Sequence, residues 1–163
     1  MLPHLDAAHN LARWLLANPH EAEDAVQDAY VRALTYFASF HAPDGRAWLL
    51  AIVRNACYAR LRQSRREAAV LDPAAELEFT PDSGPDPEAL HLKTADRLRI
   101  RRGIEALPAE FREVLVLREM EEMSYREIAR VIDAPIGTVM SRLARARKRL
   151  QEMLTAETKK ETV

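Results

Sequence analysis

The sequence predicts an all-α chain of two small helical domains joined by a flexible acidic linker, the second domain a helix-turn-helix. Three observations lead there. Apolar residues recur at helical spacing through most of the 163 residues. Prolines and acids gather between residues 67 and 92. Residues 117–154 read as two short helices across a tight turn, with the second one basic.

The elements follow in order. Residues 4–17 read as a helix with Leu5, Ala8, Ala12, Leu15 and Leu16 on its buried side, ended by Asn18 and Pro19. Residues 21–37 carry an unbroken apolar stripe: Ala22, Ala25, Val26, Ala29, Tyr30, Ala33, Leu34 and Phe37. The early acids Glu21, Glu23, Asp24 and Asp28 suit the positive end of the helix dipole. A partner-binding face would explain them equally.

Residues 39–45 form a loop, in which Asp44 can cap a third helix over residues 46–66. Trp48, Leu49, Ile52, Val53, Ala56 and Leu61 give that helix a core face. Arg54, Arg60, Arg62, Arg65 and Arg66 make its second half basic, with no acid between residues 46 and 66. Cations beside Phe40, Trp48 and Tyr58 suit a single strand of nucleic acid, whose backbone they track while rings stack on bases. Trp48 taken alone reads as a core residue.

Residues 67–92 read as the linker, with a short helix near residues 73–79. A fourth helix spans residues 93–106 with Leu98, Ile100 and Ile104, and Leu107 and Pro108 break it. A fifth spans residues 109–120 with Phe111, Val114 and Leu115 inward. Ser124 and Glu127 then form a capping box for a helix with Tyr125, Ile128, Ala129 and Ile132 on one stripe. Asp133, Ala134 and Pro135 end it and open the next helix. That last helix buries Ile136, Val139, Leu143, Leu150 and Leu154. Its other side presents Thr138, Ser141, Arg142 and Arg145, which can reach phosphates and base edges in a major groove. The tail, residues 156–163, is polar and expected to fray.

Net charge is −1, which by itself argues against a nucleic-acid partner. Its distribution argues the other way. Residues 67–96 hold eight acids and one base, a net of −7, so the remainder carries +6. Cys57 is the only cysteine, which excludes a disulfide within the chain and argues against a cysteine-based zinc site. The five histidines lack ligand spacing, and no phosphate loop or nucleophile–base motif occurs, so neither enzyme activity nor a cofactor or metal is expected. No apolar run is long enough for a membrane helix and the N-terminus has no leader pattern, so a cytoplasmic chain without membrane insertion is expected.

Three stretches, in this order, resemble the extracytoplasmic-function group of the sigma-70-like bacterial sigma factors. HEAEDAVQDAYVRAL (residues 20–34) is similar to the family's core-polymerase-binding helix. RAWLLAIVRNACYARLR (residues 46–62) is similar to the helix that engages the −10 promoter element. Residues 107–150 follow the family's helix-turn-helix pattern almost throughout. The resemblance implies a core-binding and −10-binding domain over residues 1–66 and a −35-binding domain over residues 93–155. It implies that Asp24, Gln27 and Asp28 face the clamp helices of the polymerase β′ subunit, with the β flap as a further core contact. It implies −10 contacts by Phe40, His41, Trp48, Arg54, Asn55, Arg60 and Arg62, with an unstacked base held near Asn55. It also implies −35 contacts by Thr138, Met140, Ser141, Arg142, Ala144 and Arg145. An anti-sigma factor would be a further partner, and the free chain a monomer.

Met140 and Ala144 depart from the family's common Arg or Lys and His, Tyr or Phe, so a relative's −35 sequence does not transfer. His41 stands where Arg or Lys is frequent, and Tyr58 or Ala59 near a frequent Asp. Two alternatives stay open at this point: a stand-alone helix-turn-helix regulator, and a sigma-like decoy that binds an anti-sigma factor.

Overall fold

The computed structural model describes residues 2–41, 43–71 and 92–162. Among the described residues every regular element is helical, in agreement with the predicted class. A short 3-10 turn, Leu2–His4, leads into α1, Leu5–Leu15. Helix α2, Pro19–Tyr36, opens on a proline at its first position, where a missing N–H costs nothing. The Asn18 side chain accepts the His20 N–H at 2.9 Å and caps it. After a 3-10 turn, Phe37–Ser39, helix α3 spans Gly45–Leu71. Asp44 caps α3 as expected, its carboxylate accepting the Ala47 N–H at 3.1 Å.

These three helices share one core. Ala22, Ala25, Ala29 and Ala33 form the buried face of α2 against α1 and α3, and Leu11, Leu15, Val26, Leu49, Leu50 and Val53 fill the centre. Each large aliphatic side chain buried there stabilises the fold by roughly 1.5–3 kcal/mol relative to exposure.

Four helices form the second unit: α4, Leu92–Glu105; α5, Ala109–Leu115; α6, Tyr125–Ile132; and α7, Ile136–Glu161. Helix α5 continues as a π turn, Val116–Met120. Before α6 the capping box is complete, with Glu127 N–H donating to Ser124 Oγ at 3.2 Å and Ser124 N–H to Glu127 Oε2 at 2.6 Å. Asp133 ends α6 in the left-handed region (φ 51°), and Pro135 then leads into α7. Helix α4 crosses α7 closely at Gly103, where a Cβ would stand 2.6 Å from Leu150 Cδ1.

The structure departs from the sequence reading at several points. Helix α3 runs beyond Arg66 to Leu71, because no breaker precedes Pro73 and Gln63 bonds Glu67 one turn on at 3.1 Å. Helix α7 continues through the expected frayed tail to Glu161. Arg99 anchors it there, donating to the Leu154 carbonyl at 3.1 Å and to Thr158 Oγ1 at 2.7 Å. Ile100 and Ile136, expected inward, are exposed. The same is true of Leu34 (64% exposed) and Phe37 (55%) at the end of the α2 stripe. The expected short helix near residues 73–79 and most of the linker lie outside the described residues.

The two units pack against each other. Helix α6 lies on α3, and α5 on α1. Arg112, buried in α5, ties them by donating to the Trp14 carbonyl at 2.6 Å and to the Leu107 carbonyl at 2.7 Å.

Candidate nucleic-acid interface

The residues expected to hold an unstacked base surround the start of α3. The Phe40 ring sits 4.5 Å from the Trp48 ring, tilted by 32°. Trp48 is half-buried and packs on the core with one face, so it is both a core residue and a wall of this site. His41 is exposed, and its Nδ1 lies 2.8 Å from the Ser39 carbonyl. That contact requires a proton on Nδ1, because a carbonyl only accepts. Asn55 and Arg62 are exposed and point away from the core. Arg60 pairs with Asp28 of α2 at 2.7 Å, so an expected −10 contact and an expected core contact are joined.

Arg54 is placed differently. Its Nε donates to Glu113 Oε2 at 2.6 Å and its Nη2 to Glu113 Oε1 at 3.1 Å. Its guanidinium lies over the Tyr58 ring, 4.3 Å from the centroid. Glu113, on α5, is fully buried (0% exposed). Burial raises its pKa, against the lowering pull of Arg54. Burial alone would lower the pKa of Arg54, but the hydrogen bond and charge of Glu113 leave it raised.

Arg142 of α7, expected on the outer stripe, also turns inward. Its Nη1 lies 3.9 Å from Glu113 Oε1. The rest of the expected −35 face stays outside: Met140 (53% exposed), Ser141, Ala144 and Arg145 line the outer side of the first turns of α7. Thr138 is half-buried, and its carbonyl accepts the Ser141 hydroxyl at 3.0 Å.

Sequence reasoning missed two groups. Glu113 follows Arg112 within the buried stretch of α5, residues 111–115, and helical spacing read within α5 leaves it unassigned. The second is a set of exposed apolar side chains on α2 and the turn after it: Val31 and Leu34, which share the helix face of Asp24, Gln27 and Asp28, and Tyr36 and Phe37 beyond them.

Comparison with known proteins is consistent with both units. Residues 2–67 match the Sigma-70 region 2 family, and residues 97–150 match Sigma-70, region 4. The ECF RNA polymerase sigma-E factor of Escherichia coli K12 is 36% identical over 135 residues, covering 78% of this chain and 71% of that protein. This chain belongs to the ECF sigma factors of RNA polymerase. ECF sigma factor SigE of Mycolicibacterium smegmatis is 29% identical over 151 residues, and the match covers 93% of this chain but 58% of that longer protein. Among solved structures, the sigma factor RpoE of Bartonella quintana in complex with the anti-sigma factor NepR superposes with a TM-score of 0.74 at 30% identity, over 94% of this chain and 93% of that one. CnrH in complex with the cytosolic domain of CnrY superposes with a TM-score of 0.67 at 25% identity, over 95% and 84%. The sequence resemblance to this family is thus borne out. Among the described residues no helix is long and apolar enough to cross a membrane, and no group of three or more His, Cys, Asp or Glu could hold a metal ion.

Proposed function

We propose that this chain joins the RNA polymerase core and directs it to promoters by reading a −35 element with α7 and a −10 element with α3 and the loop before it. It works in the cytoplasm and is not an enzyme: the chemistry of RNA synthesis belongs to the polymerase. The observation that carries the reading is the pairing, within one chain, of a region 2 unit and a region 4 unit whose α7 leaves Met140, Ser141, Ala144 and Arg145 open to a major groove.

The physical roles divide by surface. Asp24, Gln27, Val31 and Leu34 share one face of α2, which meets the clamp helices of core. The Phe40 and Trp48 rings, with Asn55 nearby, receive a base turned out of the duplex. Unstacking a base costs a few kcal/mol, which stacking and a shaped pocket offset. Arg145 and Arg62 hold phosphates, which fix register without reading sequence. Met140 and Ala144 offer apolar contact to a thymine methyl in place of hydrogen bonds. Two weak readers on one chain gain avidity from their linkage. An anti-sigma factor, the partner of the Bartonella quintana sigma factor in its superposed structure, is the regulator this reading implies.

The test is transcription from a fragmented genomic library with purified chain and core RNA polymerase, followed by sequencing of the transcript starts. New starts that share two upstream boxes support the reading. No new starts from a folded chain overturn it.

A further inference from the structure

We propose, resting on the reading above, that this chain reads its −35 element chiefly through thymine methyl groups, which Ile136 and Met140 touch. The preferred duplex then carries thymines at two neighbouring positions of the upstream box.

The start of α7 has the geometry for this. In a helix-turn-helix the first turns of the second helix contact base edges. Ile136 opens α7 and Met140 stands one turn on; they are 39% and 53% exposed. Four residues advance a helix by about 6 Å and carry it about 40° past a full circle, so the two side chains form one ridge. The core side of the same helix is supplied by Val139, Leu143 and Ala146. The C5 methyl of thymine projects into the major groove, and an apolar side chain there tells thymine from the other bases. Two such side chains about 6 Å apart reach methyls on neighbouring base pairs.

Hydrogen-bond donors are scarce beside that ridge. Gly137 and Ala144 are exposed and carry no polar side-chain atom. Ser141 Oγ donates its one proton to the Thr138 carbonyl at 3.0 Å, so toward DNA it can only accept. Arg142 turns inward to Glu113 of α5, in the same helical unit, with Nη1 3.9 Å from Oε1. Thr138 and Arg145 lie about half a turn round the helix from Ile136, on the opposite flank. The commonest specific contact, an arginine or lysine on guanine O6 and N7, therefore has no side chain on the Ile136 and Met140 flank to make it. What that flank can distinguish is a methyl.

The experiment uses the chain bound to core polymerase and a promoter found by sequencing its transcript starts. Uracil replaces thymine at each position of the upstream box in turn, on either strand; it pairs as thymine does and lacks the C5 methyl. In parallel, 7-deazaguanine and 7-deazaadenine replace the purines and remove their N7 acceptors. Competition binding gives relative affinities for wild type, Ile136→Ala, Met140→Ala and Met140→Leu, with circular dichroism as the folding control. The expected result is two neighbouring thymines at which uracil weakens wild-type binding about fourfold each, the worth of one buried methyl. Met140→Ala should abolish the uracil effect at one of them and Ile136→Ala at the other, while Met140→Leu, which keeps an apolar reach, should retain it. The deazapurines should leave affinity at those two pairs unchanged. Wild-type binding indifferent to uracil throughout the box overturns the proposal, as do uracil effects that persist in both alanine variants. If Ile136→Ala fails to fold, Met140→Ala and Met140→Leu decide by the same criteria. Transcript starts with a box indifferent to methyls overturn the methyl readout and leave the sigma assignment; no starts from a folded chain overturn both.

Discussion

Arg54 and Glu113 stand 59 positions apart in sequence and form a two-bond ion pair at the seam between the two helical units. Arg54 is also one of the arginines that family resemblance sends to promoter DNA. The side chain is committed to Glu113 in this structure, where the resemblance implies DNA. The pair is weak evidence for net stability, since desolvating both charges offsets much of their attraction. Its contribution is to fix which surfaces meet.

The outer face of α2 gives a prediction on partner binding. Leu34 is exposed and contributes nothing to the core, so Leu34→Asp should leave folding intact. Burying a leucine against a partner is worth roughly 1.5–3 kcal/mol, so affinity for core polymerase should fall by about one to two orders of magnitude. Asp24→Arg should act in the same direction through charge. Competition binding to core, with circular dichroism as the folding control, measures both; wild-type affinity in the two variants would remove this face from the contact.

Arg145 gives a prediction on salt. It is exposed on the open side of α7. If it holds a phosphate, Arg145→Ala should weaken duplex binding by similar factors on different sequences and reduce the slope of log affinity against log salt by about 1. Anisotropy titrations over a salt series check this. A sequence-dependent loss with an unchanged slope would make Arg145 a base reader instead.

Ser124 gives a prediction on stability. Its hydroxyl and the Glu127 carboxylate each satisfy a backbone N–H at the start of α6. Ser124→Ala should cost about 1 kcal/mol. Urea denaturation monitored by helicity reads it, and Ser124→Asp, which keeps the capping oxygen, should recover most of the loss.

Cys57 is fully buried, and burial pushes its thiol up to about 12. Thiolate is the reactive form, so a disulfide reagent at pH 8 should leave native chain unmodified and label it at once in guanidinium. Rapid labelling of the folded chain would contradict the packing around α3.

The helix-turn-helix was legible in the sequence because its signals are local: a capping serine, a glutamate one turn on, and a proline at the next helix start. The α3 cap at Asp44 was legible for the same reason. Glu113 was not, because its partner Arg54 and the helices packed on α5, α1 and α7, lie far away in sequence, and no spacing within α5 encodes that. Leu34 and Phe37 were assigned to the core because periodicity reports which residues are apolar and says nothing of what covers them. Arg142 follows the same rule: its place on the helical wheel is polar, yet a long side chain can reach back to a buried carboxylate.

Glu113 also sets a pH dependence. Its carboxyl titrates above the ordinary value of 4.5, chiefly because it is buried. A carboxyl of raised pKa binds its proton more tightly in the folded chain than in the unfolded one. Its stabilising contribution is therefore complete below the ordinary value and is lost as pH rises through the raised one. Glu113→Gln has no proton to exchange. The stability difference, wild type minus Glu113→Gln, should accordingly shrink as pH rises from 4.5 toward neutrality. Urea denaturation of both proteins at matched ionic strength across that window measures it. The opposite slope, a difference that grows with pH, would mean that attraction to Arg54 outweighs burial and holds the carboxyl below its ordinary value. Glu113 would then strengthen the packing between the two units as it ionises.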